Sequence, residues 1–157
     1  MSRPATRPRC ILAFAVLSAA CLALGVRPQI IEVGRAGPRV WVSEGDVVSL
    51  HYTQSMYGVP VEERLRVERG SLILFEVVST EAALEYLGIE TRGANNTHRV
   101  LQDFSIPAAS VGNHVLFVNG RAIPLSSVSS EGGSVRIRLV RQSLLIYLIY
   151  QLRELGR

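Results

Sequence analysis

The stretch His51–Val67, HYTQSMYGVPVEERLRV, gathers a threonine, a serine and two glutamates around one proline. Hydroxyls beside carboxylates are the raw material of acyl transfer, glycoside hydrolysis or polar ligand binding. A Ser-His-Asp set can be drawn from Ser55, His114 and Asp103, but no G-x-S-x-G elbow presents the serine. Glu62 and Glu63 are adjacent, so on a strand they point to opposite faces and cannot flank one glycosidic bond. The histidines His51, His98 and His114 show no metal-ligand spacing, so neither a metal nor another cofactor is implied. There is no P-loop and no dinucleotide fingerprint. The candidate ligand- or partner-binding residues are therefore Thr53, Ser55, Glu62, Glu63 and His114, and no catalytic residue is assigned.

Strands must position this group. DVVSLHYTQ alternates Val48, Leu50 and Tyr52 with Ser49, His51 and Thr53, the period of a half-buried strand. Thr53 and Ser55 then project to one side and Gln54 to the other. ERLRVERG sets Leu65 and Val67 on one face against Arg64, Arg66 and Glu68, and Pro60, without an N–H, suits a turn or an edge. Glu62 or Glu63 is placed to accept from the Ser55 region or from an arginine across the sheet, Arg99 or Arg121. The plainer role of these groups is a polar clasp that fixes the hairpin register.

Further strands are expected in QIIEVGR, in RVWVS, in SLILFEVVS (the most apolar and so central), around Arg99–Ile106, and in SVRIRLVR. Asn119-Gly120 inside HVLFVNGRAIPL calls for a type I′ hairpin. TEAALEYLG is a short helix, capped by Thr80 and ended by Gly88. The fold class is all-β: a small antiparallel sandwich or barrel, with an N-terminal hydrophobic signal or anchor helix and a short C-terminal helix.

The leader MSRPATRPRCILAFAVLSAACLALGV has basic residues before an uncharged run from Cys10 to Val26. It reads as a membrane anchor or a cleaved signal, with Cys21 as a lipoprotein-type alternative, and it carries the body out of the cytoplasm. Both cysteines, Cys10 and Cys21, lie in it, so the exported body has no disulfide. Asn95-Asn96-Thr97 is a glycosylation acceptor pattern. The divisions are 1–26 signal or anchor, 27–141 sandwich domain, and 142–157 an amphipathic helix or tail. In the tail, Leu145, Leu148, Ile149, Leu152 and Leu155 follow helical spacing. That face suits the sheet, a lipid interface or a membrane partner, the sheet first.

The net charge of +4 comes entirely from arginine; there is no lysine. The arginines concentrate at the two ends, while Arg27–Ser134 carries nine arginines and twelve acids. A nucleic-acid partner, which needs cations on the folded surface, is therefore not expected.

Tyr52, Thr53, Ser55, Pro60 and Glu62-Glu63, with His114 ahead of the Asn-Gly hairpin, resemble the signature of an uncharacterised family of small exported domains. That family is associated with TAXI-type TRAP solute transporters. The resemblance spans about Val47–Leu139, and Gln54 stands where the family has a histidine. It implies a non-enzymatic, extracytoplasmic, membrane-tethered accessory domain that contacts the permease or its solute-binding protein. The alternative is a small-ligand-binding or hydrolytic domain using Ser55, Glu62, Glu63 and His114 in one pocket. A glutamine at position 54 hydrogen-bonds but does not titrate, which argues against proton transfer there.

Overall fold

A computed structural model describes residues 25, 27–35, 37–89, 98–129 and 133–156. Nearly all of the leader and the Asn95–Thr97 pattern lie outside the described residues. The chain divides into two compact units, Gln29–Val140 on one hand and residues 1–28 with 141–157 on the other.

The first unit is mostly β. Ten strands are described, in two antiparallel sheets. Strands β3 (Val47–Gln54), β4 (Val59–Glu68), β5 (Ser71–Val78) and β6 (Arg99–Leu101) form a meander. On the other side of β3 lie β8 (Val115–Val118) and β9 (Arg121–Pro124), giving the order β6-β5-β4-β3-β8-β9. The smaller sheet has the order β2-β1-β10-β7, built from β1 (Gln29–Val33), β2 (Arg39–Val42), β7 (Asp103–Ile106) and β10 (Val135–Arg141). The two sheets make a sandwich. Val48, Leu50, Leu65 and Leu116 of the larger sheet share one buried cluster with Ile31, Val42, Val135 and Ile137 of the smaller.

Local chemistry explains several joints. Asn119 and Gly120 both have positive φ, 49° and 76°, and close the β8–β9 hairpin as a type I′ turn. The same turn geometry recurs at Arg69-Gly70 between β4 and β5, with φ of 51° and 78°. There a non-glycine occupies the strained position, and its N–H donates to the Glu44 carboxylate. The short helix α1 (Glu81–Tyr86) ends in a Schellman pattern at Gly88: Ile89 N donates to Leu84 O and Gly88 N to Glu85 O. Thr80 occupies its N-cap position but makes no side-chain cap hydrogen bond, contrary to expectation.

Two expectations about strands need correction. The span Arg99–Ile106 is not one strand: it breaks at Gln102, with β6 in the large sheet and β7 in the small one. The most apolar strand, β5, is second from the edge, and the central pair is β3 and β4. Its outward Ile73 is 7% exposed because Arg66 lies directly opposite in the register. The Arg66 guanidinium sits over the Phe75 ring at 4.5 Å, so an arginine stem covers apolar surface without a second layer.

In the other unit, the C-terminal helix α3 (Leu144–Leu155) begins where Ser143 Oγ accepts from Ile146 N–H at 3.4 Å. Leu148, Ile149, Leu152 and Leu155 are exposed. Among the described residues no helix is long and apolar enough to cross a membrane.

Candidate functional site at the open end of the sandwich

The β3–β4 pair is longer than its neighbours allow. Its ladder runs from Val47↔Arg66 to Gln54↔Val59, whereas the β3–β8 ladder stops at His51↔Val115 and the β4–β5 ladder at Glu62↔Val78. Residues Tyr52–Gln54 and Val59–Val61 therefore project as a two-stranded ribbon. Gln54 closes it. The Gln54 Oε1 accepts from the N–H groups of Met56 at 2.7 Å and Tyr57 at 3.0 Å, and Gly58 N donates to Gln54 O at 2.8 Å. The side chain is 8% exposed. Pro60 lies beyond the β4–β5 ladder, where its carbonyl accepts from Ser79 Oγ at 2.8 Å. The polar clasp is thus Gln54.

On the inner side of the ribbon is a pocket of about 480 Å³ between the sheets. Thr53, Ser55, Glu63 and His114 all line it, together with Tyr52 and Phe104. Glu63 Oε1 accepts from the Tyr52 hydroxyl at 2.9 Å. Continuing the β3–β8 register one step past Val115 sets His114 opposite Tyr52, and their rings stack at 4.6 Å with 13° between planes. His114 Nδ1 lies 2.5 Å from Ser110 O in the turn after β7, formed by the short helix α2 (Ala108–Val111). A carbonyl only accepts, so Nδ1 carries the proton. Burial above all, then the Glu63 charge and the hydrogen bond to it, push the Tyr52 phenol well above its ordinary value.

Glu62 is on the other face, as adjacency requires. Its carboxylate accepts from Arg64 Nε at 2.8 Å, and Arg64 Nη1 reaches Glu76 at 2.7 Å. His51 Nε2 is 3.5 Å from Glu62 Oε1 and 3.0 Å from Ser49 Oγ. The Arg64 hydrogen bond is the main cause that holds the Glu62 carboxyl below its ordinary value; partial burial opposes it, and the Arg64 and His51 charges add to it. This face forms an open groove of about 590 Å³ with Thr53, Pro60 and Val78.

Four of the five expected site residues therefore share one pocket, and Glu62 does not. Arg99 and Arg121 bond neither glutamate among the described residues; the partners are Tyr52 for Glu63 and Arg64 for Glu62. Ser55 and Thr53 are exposed at the rim. Among the described residues no hydrogen bond joins Ser55 to His114, and Asp103 instead pairs with Arg136 on the smaller sheet. Among the described residues no three of His, Cys, Asp and Glu converge as metal ligands. Leu87 and Phe104, which wall the pocket, carry no local signal in the sequence, because only the sheet crossing at Gln102 brings Phe104 to this end.

Fold and site together define a β-sandwich with a half-polar pocket at its open end. Comparison with family models, curated proteins and solved structures gives no match.

Proposed function

We propose that the chain is a non-enzymatic, extracytoplasmic, membrane-tethered accessory domain of a TAXI-type TRAP solute transporter, contacting the permease or its solute-binding protein. The observation that carries this reading is the convergence of Tyr52, Thr53, Ser55, Glu63 and His114 on one pocket, where His114 Nδ1 is committed to a backbone carbonyl rather than to a serine. That residues carrying the resemblance line one pocket supports a recognition surface as their role. The cysteine-free body behind an apolar leader supports export, and the exposed leucines of α3 support a membrane-side contact. The alternative, a small-ligand or hydrolytic domain, draws on the same pocket, with Glu63 and His114 inside it and Glu62 outside.

Co-expression of the tagged chain with a TAXI permease encoded beside it, followed by purification in mild detergent, tests the proposal. The permease is expected in the eluate and is expected to be lost when residues 142–157 are deleted. A tagged chain that purifies without permease from membranes where both are present, or that fractionates with the cytosol, overturns it.

A further inference from the structure

The pocket at the open end does not stop at Glu63. A second cavity of about 240 Å³ shares Glu63, Leu87 and Phe104 with it. The remaining walls of this cavity are apolar, Leu65, Leu74, Val77 and Leu101 among them, except for Arg99. One carboxylate thus stands where a half-polar chamber meets an apolar one.

The polar groups at this junction are acceptors. Glu63 Oε1 takes the Tyr52 hydroxyl hydrogen, and among the described residues Oε2 has no partner. The Tyr52 oxygen, having donated, offers a lone pair. His114 donates from Nδ1 to Ser110 O and lines the same pocket, its ring stacked on Tyr52. Acceptors grouped around a negative charge call for a cationic donor with several N–H bonds. The neighbouring chamber calls for an apolar chain.

We infer that the joined cavities bind a primary alkylammonium, the –NH3+ group against Glu63, Tyr52 and His114, and the alkyl chain between Leu65, Leu74 and Phe104. Among the described residues Arg99 is the one cation on the wall. It is exposed, so water screens it, and Glu63 dominates the junction. The inference rests on the open end being a recognition site, and it does not depend on which protein partner the chain serves.

Calorimetry on the full chain in lipid nanodiscs, with empty nanodiscs subtracted, tests it with butylammonium, hexylammonium, hexanol and hexanoate. The expected result is saturable one-to-one binding of hexylammonium, about fourfold tighter for each added methylene. Hexanol and hexanoate are expected at least tenfold weaker. Glu63→Gln is expected to weaken hexylammonium by tenfold or more and to leave hexanol unchanged. The ligand series on the unmodified chain decides the matter even if that variant fails to fold. No saturable binding, equal affinity for hexanol, or tighter binding of hexanoate overturns the inference. Loss of permease co-purification would leave the calorimetry untouched, so the two proposals fail separately.

Discussion

Alkaline pH isolates the Tyr52–Glu63 contact, because the chain has no lysine. The amino terminus and the two cysteines have mostly titrated by pH 9.5, and arginine stays charged beyond pH 12, so tyrosine is nearly the only group changing charge between them. An unfolded tyrosine ionises near pH 10, whereas burial and Glu63 delay Tyr52 in the fold. Above pH 10 the folded state therefore holds a proton that the unfolded state has lost. The stabilisation from neutral Tyr52 is complete below about pH 10 and is lost as pH rises towards the folded value. Linkage removes at most about 1.4 kcal/mol per pH unit for one retained proton. Tyr52 is only half-buried, and water screens the contact, so about 1 kcal/mol by pH 11 is the reasonable figure. Tyr52→Phe keeps the ring that stacks on His114 and deletes only the hydroxyl. A hydrogen bond to a carboxylate contributes about 1.5–3 kcal/mol when shielded, and partial exposure of Glu63 reduces this to about 1 kcal/mol. Urea unfolding followed by circular dichroism at pH 8, 9, 10 and 11 should show the variant about 1 kcal/mol less stable at pH 8, with the gap closing by pH 11. Parallel curves across that range would refute the argument, since they would mean that neither burial nor Glu63 delays ionisation of Tyr52 in the fold.

Two further substitutions probe the same end of the sandwich. Gln54→Ala removes the acceptor for Met56 N and Tyr57 N and should lower stability by about 1–2 kcal/mol; a urea midpoint within error of the parent would show that water replaces the side chain at no cost. Glu62→Gln should lower stability only slightly at pH 7, because its pair with Arg64 is half-exposed and water screens it. The Glu62 carboxyl titrates lower in the fold than when unfolded, so its stabilisation exists above about pH 4.5 and is lost as pH falls through the folded value; the gap between parent and variant should narrow as pH falls below that point in acid-unfolding curves.

What the sequence discloses here is what depends on neighbours along the chain. Asn119-Gly120 needs two positive φ values, and those residue types supply them at little strain, so the hairpin is readable from a dipeptide. The opposition of Glu62 and Glu63 follows from strand periodicity alone. Leu65 and Val67, 1% and 0% exposed, are readable for the same reason. The partner of Glu63 is not readable, because Tyr52 reaches it across the β3–β4 register, whereas Glu62 and Arg64, two residues apart on one strand, share a face by periodicity alone. Arg69-Gly70 escapes notice because arginine is a poor advertisement for positive φ; a backbone hydrogen bond to Glu44, distant in sequence, helps to hold it. The sheet change at Gln102 is equally hidden, since both halves of Arg99–Ile106 read as one extended segment.

The placement of the site follows from unequal strand lengths. Where β5 and β8 end, β3 and β4 continue without lateral partners, and a two-stranded ribbon is at best marginally stable alone. Val61 anchors the ribbon in the apolar core, and the contacts beyond it are polar or aromatic: Gln54 to its own turn, Ser79 to Pro60, Tyr52 to Glu63 and His114. Filling the missing ladder positions with a further strand would cover Tyr52 and close the pocket. Leaving them open exposes a carboxylate and an imidazole edge between two sheets whose packed core keeps them in register. The device that leaves room for a ligand is therefore the one that makes the ribbon depend on side-chain bonds. An occupant that pairs with Glu63 should also stiffen the ribbon, which couples recognition at this end to the order of the Ser55–Gly58 turn.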